Sequence, residues 1–290
     1  RLQQEGARLL GSGHAVIGGS FLYNTNYGLF LNGDGMTARD LVAIGNGQGV
    51  AAYKDTRLSG LTAASNTTNG VFLTDAAVLE DSLIHGQQTG TGVQVNSNAL
   101  AVGNTIYDNS TGISVTTAGA TARDNAVFGN EVGIFLRSSG GSAIGNRVHD
   151  NGRGIDVSLI TGGRVATILN NRIADNDLSG LRLTGGSNHL VANNTFSGNG
   201  LRPADGGEIG PDIALDRTGA GTALSSNIFQ RAVGPAILVS NDSQDGLTVD
   251  YNLFDLEGGG AFGRWEGVIY DSLSRWHYAS ALDANSLTGP

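Results

Sequence analysis

The sequence predicts an all-β solenoid, about ten or eleven turns of three short strands each, closed by a short C-terminal helical cap. Three observations predict it. A phrase of Gly, apolar, any residue, apolar returns about once every 21 residues from Gly28-Leu29-Phe30-Leu31 to Gly180-Leu181-Arg182-Leu183. The chain holds 46 Gly against 4 Pro, with the Gly spread along the repeat, which predicts many tight turns. No helical stretch within the repeat is long enough to pack, which excludes helical and leucine-rich repeats.

Copies of the phrase begin at Gly49, Gly70, Gly92, Gly112, Gly133 and Gly154, and weaker ones lie at Asp212-Ile213-Ala214-Leu215 and Ala236-Ile237-Leu238-Val239. A repeat this short cannot bury its apolar face alone, so the core forms only between stacked neighbours. Residues 92 to 112 serve as the type unit. Val93 and Val95 alternate with Gln94 and Asn96, the period of two expected of a strand with one face in a core. A second apolar patch follows at Leu100 and Val102, and a third strand at Asn104-Thr105-Ile106-Tyr107, separated by Gly, Asn and Asp turn signals. Three strands per turn leave a single-stranded right-handed parallel β-helix, expected over residues 1–258, with residues 259–290 as a capping segment.

Two polar columns fix the register. One runs Leu41, Leu61, Ser82, Asn104, Asn125, Asn146, Asn171, Asn194, Asn227, Asn252; the other runs Asn46, Asn66, Asn109, Asn130, Asn151, Asn176, Asn199. An inward Asn at a bend tolerates left-handed backbone angles and hydrogen-bonds its copies in neighbouring turns, so both columns are read as structural ladders. In the tail, Asp271 or Ser272 is placed to cap a helix reaching about Leu282, with Leu273 and Trp276 on one face covering the open end of the stack.

Composition limits function. A net charge of −9 and a pI near 4.9 argue against nucleic acid as partner. No apolar run reaches the ~20 residues that span a bilayer, so membrane insertion is not expected. The chain starts inside a repeat and stops abruptly, which suggests a trimmed portion of a longer precursor. Cysteine is absent, excluding thiolate metal sites. His14, His85, His149, His189 and His277 form no pair at zinc-ligand spacing. Gly45-Asn46-Gly47-Gln48-Gly49 precedes a strand rather than a helix, which excludes a phosphate loop.

The Gly-Ile-x-Val and Gly-Asn-x-Ile-x-x-Asn texture resembles the parallel β-helix repeats of the pectate-lyase-like superfamily over about residues 15–256. The segment Trp265 to Trp276, running on to Asp283-Ala284-Asn285-Ser286, resembles a terminal element of secreted bacterial β-helix proteins. The resemblance implies a secreted or cell-surface bacterial protein with a polysaccharide as partner; a monomer is expected. It is specific for fold and nearly silent on activity.

Candidate chemistry lies on the outward side of the first strand. Arg137, Asp156, Arg182 and Asp216 fall on adjacent turns ~4.8 Å apart, with Arg153 just before its strand, and form a charged patch. The two insertions in the repeat flank it: spacing grows from 21 to 26 residues around 158–164 and to 32 around 201–211. A lyase on a uronate polysaccharide needs a positive group or metal against the substrate carboxylate and a base for the neighbouring proton. Arg182, Asp156 and Arg153 are the catalytic candidates, with Arg137 and Asp216 binding substrate. Asp205, Glu208 and Asp212 are the candidate oxygen ligands for Ca²⁺. Tyr53, with Phe30 and Phe72, and the row His85, Tyr107, Phe128, His149 are candidate sugar-stacking surfaces. Two alternatives stand beside the lyase: a non-catalytic glycan- or protein-binding surface module, and a glycoside hydrolase using Asp156 with Asp216 or Glu208. The Asn-Thr-Asp, Asp-Asp and Gly-His-Gly marks of polygalacturonase-like hydrolases and the Asp-Pro-His-Glu mark of mannuronan epimerases are missing.

Overall fold

The computed structural model describes residues 3–137, 141–159, 165–202, 209–257 and 259–289. Strands recur in threes along the chain, about eleven turns in all, as the 21-residue phrase predicts. Residues 1–135 and 136–290 form two compact units, each a parallel β-solenoid.

In residues 1–135 the first strands of successive turns pair in parallel: Tyr27–Asn32, Gln48–Tyr53, Asn69–Leu73, Thr91–Val95 and Thr111–Val115. Leu29, Val50, Val71, Val93 and Ile113 stack in register inside, each with no exposed surface. The second strand behaves differently from its apolar patch. Its interior residue is Ala101, while Leu100 and Val102 turn outward and stay half-buried. A three-residue strand between two bends can point only its middle side chain inward.

Residues 136–290 repeat the arrangement. Arg153–Leu159, Ser179–Gly185, Ile213–Asp216 and Pro235–Val239 pair in parallel as the first sheet. On the third sheet Phe196, Phe229 and Phe254 stack inside with centroids 5.4 and 5.0 Å apart.

The Asn columns are hydrogen-bonded ladders, as expected. Asn171 donates its backbone N–H at 2.9 Å and its Nδ2 at 3.0 Å to Asn194 Oδ1, and Asn194 does the same to Asn227 Oδ1. The left-handed backbone angle, however, belongs to the preceding residue: Asp108, Asp150, Asn170, Asp175 and Asn193 all have φ between 52° and 57°. Ladder Asn supply hydrogen bonds, and short polar residues before them supply the bend. The repeating Gly at the head of the first strand is likewise not a turn residue. A Cβ on Gly180 would lie 2.8 Å from the Asp212 carbonyl and 2.9 Å from Asn199 Nδ2, so glycine is required by close approach to the ladder.

The tail holds the expected helix, α1 (Leu273–Ser280), together with an antiparallel hairpin the sequence reading missed, Ala261–Trp265 with Val268–Tyr270. Trp276 is fully buried and its Nε1–H donates to Asp283 Oδ2 at 2.8 Å, while Asp283 Oδ1 accepts from Asn252 Nδ2 at 2.9 Å. The indole thus anchors the last rung of a ladder, and Gly263 leaves it room.

Candidate functional site

The outer face of the first sheet in residues 136–290 brings four of the sequence-selected residues together. Asp156 is the register partner of Arg182 on the next strand, and Ser158, Thr184 and Asp216 continue in register two residues further along. Asp156 is only 8% exposed. Burial raises its carboxyl above the ordinary carboxylate range, against the opposing pull of Arg182 and then Arg153. Arg153 Nη1 lies 3.9 Å from Asp156 Oδ2, and Arg182 Nη2 lies 3.6 Å from Asp216 Oδ2. Both separations exceed hydrogen-bonding distance, so the two guanidiniums keep donors for a carboxylate placed among them.

Two residues complete the patch that sequence reasoning did not select. Arg217 Nε sits 3.4 Å from Asp216 Oδ1 and shares that carboxylate with Arg182. Thr184 Oγ1 is buried with no hydrogen-bond partner among the described residues. Its place two residues after Arg182, on the same strand face, was the available signal. Arg137 is exposed at the end of the strand Val132–Arg137. The two carboxylates of the hydrolase alternative, Asp156 and Asp216, stand two strands apart, with Arg182 on the strand between them and Arg217 beside Asp216. Glu208, its alternative partner, lies outside the described residues.

The aromatic candidates lie in residues 1–135 and form two different surfaces. Tyr27, Phe30, Tyr53 and Phe72 pack with centroids 5.2 to 5.6 Å apart and tilted planes, and the Arg8 guanidinium lies 3.9 Å over Phe30. The rings of His85, Tyr107 and Phe128 stack parallel at 4.9 and 5.2 Å, so both faces of Tyr107 are covered and its ring edge points outward. Sugar stacking needs an open ring face, which Tyr107 does not offer. His149, in residues 136–290, contacts Asp150 Oδ2 at 2.6 Å through Nδ1.

The Ca²⁺ expectation divides. Asp205 and Glu208 lie outside the described residues. Asp212 is 1% exposed and does not fit as a ligand, because its carboxylate points into a corner of the solenoid. Oδ1 accepts from Asn199 Nδ2 at 2.7 Å, and Oδ2 has no partner. Register explains the placement: Asn199 aligns with Ala232 in the next turn, where the Asn ladder stops. Asp212 occupies the glycine position of its strand and reaches into the space an Asn at 232 would fill. Among the described residues no three His, Asp or Glu side chains converge.

Burial pushes the Asp212 carboxyl up to about 7. The folded protein therefore keeps a proton that the unfolded chain, with a carboxyl near ~3.9, releases. Stability from this group is complete below about pH 4 and is lost as pH rises towards 7. Asp212→Asn is expected to remove that slope and to raise unfolding free energy at pH 8 by on the order of 3 kcal/mol, measured by urea unfolding at pH 5 and pH 8. Equal pH slopes in the two proteins would show that Asp212 titrates normally.

Comparison with known proteins places this architecture. The family model for the right-handed β-helix region matches residues 3–159 and 111–267, and the chain belongs to that family. Among solved structures, the A-module of the Azotobacter vinelandii mannuronan C-5 epimerase AlgE6 superposes with a TM-score of 0.69 at 16% identity, covering 98% of this chain and 80% of that one. The AlgE4 A-module from the same organism gives 0.59 at 16% identity, over 95% and 86% of the two chains. The pectate lyase Pel9A gives 0.56 at 14% identity, over 91% and 74%. At these identities the likeness is one of fold. No curated protein sequence matches the chain.

Proposed function

We propose that this protein is a carbohydrate-active β-helix protein that cleaves a uronate-containing polysaccharide by β-elimination, outside the cell that makes it. One observation carries the reading: a nearly buried carboxylate, Asp156, flanked by Arg182 and Arg153, whose ion pairs to Asp216 and Asp156 are longer than hydrogen bonds and leave donors for a substrate carboxylate. Bidentate contact with Arg182 or Arg153 would withdraw charge from the uronate and acidify the proton on the adjacent carbon. Asp156 accepts that proton. The electron pair forms the carbon–carbon double bond and expels the glycosidic oxygen, which takes a proton from water. Burial that raises Asp156 also makes it a stronger base once ionised. The fold supports the substrate class, since solved relatives include a pectate lyase and mannuronan epimerases.

The test is incubation with pectate, alginate and glycosaminoglycans, following ultraviolet absorbance of unsaturated product. Activity on a uronate polymer and its loss in Arg182→Ala, by at least ~100-fold in kcat/KM, is the expected result. Deuterium uptake from solvent beside the carboxylate, without unsaturation, would assign epimerisation instead. Glycan retention that is equal in the parent and in Arg182→Ala, with no turnover, would assign a binding module.

A further inference from the structure

The third sheet of residues 136–290 carries a concavity that the elimination site does not use. Arg147, His149, Asp150, Arg172, Ala174 and Asp175 line a cavity of about 110 Å³. It sits on two paired strands, Arg147–His149 and Arg172–Ala174, with Arg147 the register partner of Arg172 and His149 that of Ala174. Strand spacing of ~4.8 Å sets the two arginine stems side by side. Ala174 truncates the row begun by His149 and leaves a gap one side chain deep.

Charge is arranged unevenly around this gap. Asp150 Oδ2 is engaged by His149 Nδ1 at 2.6 Å, and Asp175 Oδ1 by Arg231 Nη2 at 3.2 Å. Arg231 Nε also donates to Ser197 Oγ at 3.3 Å. Arg147 and Arg172 make no ion pair with any described residue. Two adjacent guanidiniums of like charge thus share a cavity whose two carboxylates, Asp150 and Asp175, are already engaged by His149 and Arg231, on a chain whose net charge is −9. Arginine binds oxyanions through planar paired donors, and two of them across a small gap suit an anionic group held from both sides.

We infer that this cleft is a second, non-catalytic subsite for an acidic polysaccharide, in which a uronate carboxylate lies between Arg147 and Arg172 and the sugar covers Ala174. The inference takes its ligand class from the proposed function but not its chemistry, because binding here requires no turnover. Both arginines are exposed, so replacing them is expected to leave the unfolding midpoint unchanged.

The experiment is calorimetric titration of the full chain with hexameric oligogalacturonate, oligomannuronate and oligoguluronate. Asp156→Asn serves as background to suppress turnover, and neutral cellohexaose as control. The Arg147→Gln/Arg172→Gln double variant is expected to lose one class of sites, or at least ~10-fold in affinity, with a shallower salt dependence. Arg147→Lys/Arg172→Lys, which keeps charge but not the planar fork, should fall between. Unchanged stoichiometry and affinity in the double Gln variant, equal affinity for cellohexaose, or no binding of any acidic oligomer by the parent would each overturn the subsite. Loss of binding in the double variant, in a protein that shows no turnover on any polymer, would sustain the subsite while overturning the elimination reaction. Normal turnover with unchanged oligomer binding would do the reverse.

Discussion

Asp156→Asn is expected to lower kcat/KM on the preferred uronate polymer by ~10²–10⁴-fold while leaving the unfolding midpoint close to that of the parent. The substitution keeps the shape of a side chain that is 8% exposed and removes only its ability to take a proton. The pH profile of the parent supplies an independent check. Asp156 must be ionised to act as base, and burial raises its carboxyl despite Arg182 and Arg153. The acid limb of kcat/KM should therefore lie above the range of an ordinary carboxyl, with activity rising as pH increases through it. A variant retaining more than about a tenth of parental kcat/KM would remove Asp156 from the proton transfer.

Asn194→Ala is expected to give a large loss of stability in residues 136–290. Asn194 is fully buried, and its side chain serves both neighbouring turns. Oδ1 accepts from the Asn171 backbone N–H and Nδ2, while its own Nδ2 donates to the Ile168 and Ala192 carbonyls at 2.9 and 3.0 Å and to Asn227 Oδ1 at 3.0 Å. Truncation strands a buried backbone donor and at least one carbonyl, each costing ~1–3 kcal/mol, so a loss of about 2–5 kcal/mol is expected in chemical denaturation. Thr195→Ala, on the next residue and partly exposed, should change stability by less than ~0.5 kcal/mol. Equal effects of the two substitutions would mean that water replaces the ladder bonds.

Much of this fold was legible because stacking forces each turn to repeat its neighbour. Gly154, Ile155 and Val157 recur as Gly180, Leu181 and Leu183, so the period, the first sheet and its outward residues could be read directly. The pairing of Asp156 with Arg182 followed from that count alone. What the repeat could not reveal lies where it is broken. Asp212 read as a Ca²⁺ ligand because it follows the insertion around 201–211 with Asp205 and Glu208; in the structure it compensates for Ala232, a missing ladder residue one turn away. The hairpin Ala261–Trp265 with Val268–Tyr270 follows the last full turn, where no repeat constrains the chain.

The aromatic row shows a finer limit. Periodicity placed His85, Tyr107 and Phe128 in one column, but only coordinates show the rings within 4° of parallel and closed against one another. Likewise, the sequence contained both Arg147 and Arg172 with nothing to mark them. Their significance depends on which carboxylates are already engaged, Asp150 by His149 and Asp175 by Arg231, the latter pair 56 residues apart.

By itself, the sequence determined the solenoid, its period, its ladders and the face on which Asp156 and Arg182 meet, because each of these is a consequence of local pattern repeated at fixed intervals. Only the tertiary structure decided which charges are buried, which are paired and which stay open to a ligand. Burial and pairing are set by distances between side chains from different turns and by the water they exclude, and neither quantity is written in the order of residues.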